Sequence, residues 1–230
     1  MNFLALLQRT KRKCRVTGAI PTSVMGQNEE FARLADFVNE AWMNLQLKRT
    51  DWRWMRASMS FPVVLGQSTY TLAQIQSTGT GLSNFGNWDV STFRNYDTNI
   101  GTDSEIEIGF IPYDWWRDTY QINSMRRTNS RPVQFTVTPT HGIALGPNPI
   151  AGYTISGDYH KVASEMSANT DTPLLPTQFH MALVYGAMMS YGVSESKPEI
   201  YDEGEKEYTR MVRSIEAHQL PDLTVSGALA

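Results

Sequence analysis

Phe31-Ala32-Arg33-Leu34-Ala35-Asp36-Phe37-Val38-Asn39-Glu40-Ala41-Trp42-Met43-Asn44-Leu45 is the stretch whose reading decides the fold. Phe31, Leu34, Ala35, Val38, Ala41, Trp42 and Leu45 recur at three- and four-residue steps and so fall along one side of a helix. The spacing predicts a helix over residues 28–49. Asn28 suits its N-cap, Glu29 and Glu30 suit the positive end of the helix dipole, and Lys48 and Arg49 suit the negative end.

Three further helices are predicted outward from it. Residues 2–15 place Phe3, Leu6, Leu7, Thr10 and Cys14 on one face, and Gly18 and Pro21 close the segment. Residues 177–193 carry Phe179, Ala182, Leu183, Gly186, Ala187, Ser190 and Tyr191, whose small members permit close approach of another helix. Residues 198–218 carry Tyr201, Tyr208, Met211, Val212 and Ile215, with Pro198 in the first turn, where its missing N–H costs nothing.

Between these pairs the pattern changes. Ser58, Ser60, Val63 and Tyr70 sit among alternating residues around Gly66-Gln67-Ser68, which reads as a hairpin. Over residues 77–104, seventeen of the 28 residues are Gly, Ser, Thr or Asn, so a long loop is expected there. Short strands are expected at Glu105–Phe110, Gln134–Val137, Gly142–Leu145 and Tyr153–Tyr159, punctuated by prolines. Pro112–Tyr120 reads as a short helix on the sheet, with Trp115 and Trp116 pointing opposite ways. The fold class expected is α+β. An N-terminal helical pair (1–56) and a C-terminal one (166–218) form a four-helix bundle. A β-rich domain (57–165) is inserted between them, and 219–230 is an extended tail.

The composition narrows the function. With 230 residues, 41% hydrophobic and 19% charged, the chain is globular, and a net charge of −3 does not favour nucleic-acid binding by charge. The single cysteine, Cys14, allows no internal disulfide and fits manufacture in a reducing cytoplasm. Met1–Leu7 is apolar but precedes its basic run Lys11-Arg12-Lys13, the wrong order for a secretory signal, and no stretch is long enough to span a membrane. No Gly-rich phosphate loop is present, and His141, His160, His180 and His218 are too scattered for a zinc helix. Glu105 and Glu107 read as a solvated strand face rather than a catalytic pair. Asp51-Trp52-Arg53-Trp54 reads as core filling, with a sugar platform or interface anchor as the alternative. Arg9, Lys11, Arg12, Lys13 and Arg15 read as a polar helix face, and residues 195–207, with six acids and two bases, offer a complementary one. No catalytic residue, cofactor or metal ligand is expected.

Several of these segments together resemble a known family. Met1-Asn2-Phe3-Leu4, then Thr22, Val24, Gly26-Gln27 and Glu29, resemble the opening of the head-to-tail adaptor proteins of short-tailed bacteriophages. Leu34-Ala35-Asp36-Phe37-Val38-Asn39-Glu40-Ala41-Trp42 with Asp51-Trp52-Arg53-Trp54-Met55-Arg56 is the most specific part of the likeness. Gly66-Gln67 with Tyr70-Thr71-Leu72, Pro112-Tyr113-Asp114-Trp115-Trp116-Arg117, Gly157-Asp158-Tyr159-His160 and Asp171-Thr172-Pro173-Leu174-Leu175-Pro176 are similar to its later landmarks. The likeness covers most of the chain and is weakest over 77–104. It implies a structural virion protein of the tail and neck with no enzymatic activity. Neighbouring copies would form a homo-dodecameric ring beneath the portal protein. A nozzle protein, and in some cases tail fibres, would attach below, and DNA would pass through the channel without sequence-specific binding. On this reading the tail residues Leu220, Pro221, Leu223, Val225 and Leu229 lie on the portal. Phe85, Trp88, Phe93 and Tyr96 anchor the long loop on a neighbour, the nozzle or a fibre. The alternatives are another tail component (a tube or fibre-attachment protein), a carbohydrate-active virion enzyme, and a small DNA-binding protein.

Overall fold

The computed structural model describes residues 1–27, 29–150 and 152–220. In chain order the helices and strands are α1 (Phe3–Lys13), α2 (Glu29–Leu47), β1 (Arg56–Pro62), β2 (Thr69–Tyr70), α3 (Leu72–Thr78), β3 (Phe85–Asp97), β4 (Ile106–Glu107), β5 (Gly109–Phe110), α4 (Tyr113–Tyr120), β6 (Asn129–Ser130), β7 (Gln134–Val137), β8 (Ile143–Gly146), β9 (Asn148–Pro149), β10 (Tyr153–Lys161), α5 (Met181–Ser194) and α6 (Pro198–Gln219). The protein is mixed α+β. It divides into two compact units, Met1–Met55 with Ala163–Ala230, and Arg56–Val162.

The first unit is helical. Leu6 and Leu7 of α1, Leu34, Val38, Trp42 and Leu45 of α2, Leu183 and Met188 of α5, and Val212 and Ile215 of α6 share one buried core. The small residues of α5 act as the sequence predicts. A methyl group at Gly186 would stand 2.8 Å from Ala41 Cβ on α2, and one at Gly192 would stand 2.7 Å from the Tyr201 nitrogen on α6. Asn2 caps α1, accepting from the Ala5 N–H at 3.0 Å. The cap expected for α2, Asn28, lies outside the described residues. Trp52 is fully buried, donates to the Leu45 carbonyl at 3.0 Å and stacks on Trp54 at 4.2 Å, so it fills the helical core.

The extended return after Ala163 is held by two amide side chains two turns apart on α2. Asn39 donates to the Met166 carbonyl at 2.9 Å and accepts from its N–H at 3.1 Å. Gln46 does the same with Ser164 at 3.0 and 3.1 Å. Each side chain mimics a strand's backbone and so satisfies polar groups that have no ladder of their own.

The second unit contains one four-stranded sheet in the order β1-β10-β3-β4, another in the order β2-β8-β7-β5, and a two-stranded ribbon of β6 and β9. Its core gathers Phe61, Tyr70, Trp88, Phe93, Phe135, Leu145 and Tyr159. Two expectations are corrected here. Residues 58–72 are not a hairpin: β1 pairs antiparallel with β10 and β2 with β8, so the two runs enter different sheets. Thr71 instead opens α3 through a capping box with Gln74, its hydroxyl accepting from the Gln74 N–H at 3.2 Å and the Gln74 carboxamide from the Thr71 N–H at 2.9 Å.

Nor is 77–104 one long loop. It holds the end of α3 and the thirteen-residue strand β3, an inner strand of its sheet. The strand is hidden in the sequence because its two-residue period is broken. From Ser156 to Asp158, β10 advances two residues, while its partner β3 runs from Arg94 to Asp89. Thr92, within that bulge, accepts from the Asp158 N–H at 2.8 Å. Trp88 and Phe93 both reach the core although they lie an odd number of residues apart.

Candidate functional site: interaction surfaces

Among the described residues no group of three or more His, Cys, Asp or Glu is placed to hold a metal ion, and no helix is long and apolar enough to cross a membrane. The perturbed ionisable groups are tied to structure. Burial pushes the Cys14 thiol up to about 12. The Glu203 carboxyl is held low by its hydrogen bond from Lys13 at 2.9 Å, and Asp171 is held low by the N–H groups of Ala168 and Ser167. Burial lowers His180, whose Nε2–H donates to the Leu175 carbonyl at 2.7 Å while Nδ1 accepts from the Met1 amine at 2.5 Å. Neither lowered carboxylate lines the hollows beside Arg126, Tyr201, Asp158 or Trp116. Glu105 faces Arg94 at 3.6 Å.

The basic run of α1 is partly absorbed by the helical unit. Lys13 pairs with Glu203. Lys11 is buried and donates to the carbonyls of Val16 and Gly18, both at 2.8 Å, tying down the turn that follows α1.

The four aromatics assigned to a partner surface separate into two kinds. Trp88 is buried and donates to the His141 carbonyl at 2.8 Å, and Phe93 is buried and stacks on Phe135 at 4.3 Å. These two are core residues of the β-rich unit rather than anchors on a free loop. A strand with a buried face must place its large apolar side chains there. Phe85, against Trp88 at 4.4 Å, and Tyr96, opposite Thr154, are half-buried. Of the tail residues, Leu220 packs partly buried on the helical core, its N–H donating to the Glu216 carbonyl at 3.1 Å. Pro221, Leu223, Val225 and Leu229 lie outside the described residues.

The sequence reading assigned no surface to the segment after α4. Trp116 is buried and donates to the Leu145 carbonyl at 3.0 Å, while Trp115 is 54% exposed. The two therefore split as expected, and the outward one stands near exposed Ile122, Met125, Arg126 and Arg127 in the chain. A hollow of about 620 Å³ is lined by Gln121, Ile122, Asn123, Ser124, Arg126 and Arg127. No sequence signal marked this hollow, because nothing in the spacing of Arg126 and Arg127 marks them as exposed together.

No curated protein matches the chain. The family model described as SU10 adaptor protein matches residues 1–226, which takes in both units. With nearly the whole chain covered by that one model, the protein belongs to the SU10 adaptor protein family, structural proteins of bacteriophage particles.

Proposed function

We propose that this chain is the head-to-tail adaptor of its particle, one of a ring of copies that joins the portal to the tail nozzle and fibres and continues the DNA channel. The observation that carries the reading is the family match over residues 1–226. The shared core of α1, α2, α5 and α6 supports reading the helical unit as a four-helix bundle that docks beneath the portal. A net charge of −3 suits a channel through which DNA slides without sticking. Phe85 and Tyr96 are the members of their group left with exposed area for a nozzle, a fibre or a neighbouring copy, and Trp88 and Phe93 hold the strand that presents them.

The last residues are assigned to the portal. Leu220, Pro221, Leu223, Val225 and Leu229 supply apolar side chains, and an extended segment satisfies its backbone by lying along a groove or sheet edge. Burying Leu223 and Val225 contributes about 3–6 kcal/mol, which the cost of ordering the segment offsets on a single copy. Backbone hydrogen bonds to the portal and repetition around the ring add to the side-chain gain.

The test is electron microscopy and co-sedimentation of the purified chain with and without its portal. Rings that appear only with the portal, and that a chain lacking residues 219–230 fails to form while remaining folded, are the expected result. Unchanged portal binding by the truncated chain overturns the tail assignment. Absence of any portal binding by the full chain overturns the adaptor reading.

A further inference from the structure

The β-rich unit exposes a surface that its own folding does not use. Ile122 and Met125, beyond α4, are 50% and 38% exposed. Arg117, Arg126 and Arg127 lie in the same stretch, and a second hollow is lined by Arg117, Ile122 and Arg126 with one acid, Asp118, among them. Arg126 donates to the Gln121 carbonyl at 2.6 Å, and the Arg117 guanidinium stands over the Tyr113 ring, 5.9 Å from its centre. None of the three arginines joins an ion pair among the described residues. Arginine beside an exposed aliphatic side chain is the kind of surface found at protein interfaces, where arginine is enriched among hot spots. A surface built for phosphates has no use for Ile122, half exposed in the hollow of the arginines.

The helical unit carries the complementary charge. Over residues 195–207, Glu195, Glu203 and Glu207 are paired with Arg33, Lys13 and Arg210. Glu199, Asp202 and Glu205 are exposed on the first turns of α6 and join no ion pair among the described residues. They recur every three residues and so share one side of the helix. Three carboxylates outside any ion pair on one unit thus match three arginines outside any ion pair on the other, among the described residues.

A closed ring of identical copies needs a heterologous contact, in which one patch meets a different patch on the next copy. Pairing either of these patches with itself would set like charges face to face, which costs several kcal/mol. We propose that the Ile122–Arg126–Arg127 surface of one copy docks on the Glu199–Asp202–Glu205 side of α6 in the next copy. The proposal rests on the ring assembly given under Proposed function and adds which two surfaces meet.

The test uses full-length chains in two pools, one with Ser124→Cys and the other with Lys206→Cys, mixed at high protein concentration with a short bismaleimide. Native Cys14 is buried and stays out of the reaction. Cross-linked dimers between the pools should exceed those within either pool, and added salt should reduce them. Adding Arg126→Glu and Arg127→Glu to the first pool should lower the yield by about tenfold or more. Adding Glu199→Lys and Asp202→Lys to the second pool should then restore it, which a misfolded chain cannot do. Cross-pool dimers no more abundant than within-pool ones overturn the proposal, as does charge reversal without effect. So does an unchanged cross-link accompanied by loss of retention on duplex DNA, which would make the arginines a nucleic-acid surface. Portal co-sedimentation of the same chains separates the two ideas: portal binding without the cross-link sinks only this interface, and the cross-link without portal binding sinks only the adaptor reading.

Discussion

Trp115 and Trp116 are adjacent and chemically identical, yet one is 54% exposed and the other 3%. Replacing Trp116 by Ala removes a buried ring and its bond to the Leu145 carbonyl, and should cost about 3–5 kcal/mol in denaturant unfolding of the β-rich unit. Trp115→Ala should stay within about 0.5 kcal/mol of the parent, because its ring faces solvent in the single copy. Equal losses for the two would contradict their placement. His180 gives a pH prediction. Its ring is buried and its affinity for a proton is lowered, so the unfolded chain binds that proton more readily than the folded one. The stability that His180 contributes is therefore fully present above about pH 6.5 and is lost as pH falls from there through the lowered folded value, at no more than about 1.4 kcal/mol per pH unit. Urea midpoints recorded across this window should show the decline, and His180→Gln should flatten it. A parent curve flat through the window would refute the assignment.

At the scale of elements, the contacts that hold the helical unit together include side chains that imitate backbone. Gln46 is 2% exposed and both ends of its amide are bonded to Ser164. Gln46→Leu keeps the volume but orphans an N–H and a carbonyl, so it should cost about 2–4 kcal/mol. Amide hydrogen exchange at Ser164 should speed up while exchange at Met166, held by Asn39, stays slow. Unchanged protection at Ser164 would mean that the amide bonds do not hold this segment. The helices themselves were legible because their apolar residues keep an unbroken three-to-four-residue period over several turns. β3 was not. Its outward residues Asn87, Ser91 and Arg94 are polar and its bulge breaks the alternation, so composition pointed to a loop where an inner strand lies.

On the scale of the whole molecule, the β-rich unit begins and ends on paired strands. Arg56 at the start of β1 stands opposite His160 near the end of β10, so the ends of the unit are neighbours. A segment whose ends meet can be inserted into a host without prying it open, and can be excised from it. Residues 56–162 expressed alone should unfold cooperatively with a dispersed amide spectrum. A collapsed spectrum without cooperative melting would show that this unit depends on the helical one.

What the sequence by itself determined is whatever depends on near neighbours in the chain. That includes the four long helices, the alternation between helical ends and a β-rich middle, the opposed tryptophans, the small residues of α5 and the family likeness. These rest on periods of two and 3.6 residues and on short motifs, which survive in one dimension. Only the tertiary structure decided that β1 and β2 enter different sheets, because a turn signal marks where the chain bends and not which strand it will pair with. Only it placed Trp88 and Phe93 in the core, because a bulge shifts the inward face of a strand through its partner. It also showed that, among the described residues, Arg126 and Arg127 on one unit and Glu199, Asp202 and Glu205 on the other join no ion pair. Whether a charge is already paired depends on residues far away in sequence, and ion pairs leave no periodic trace along the chain.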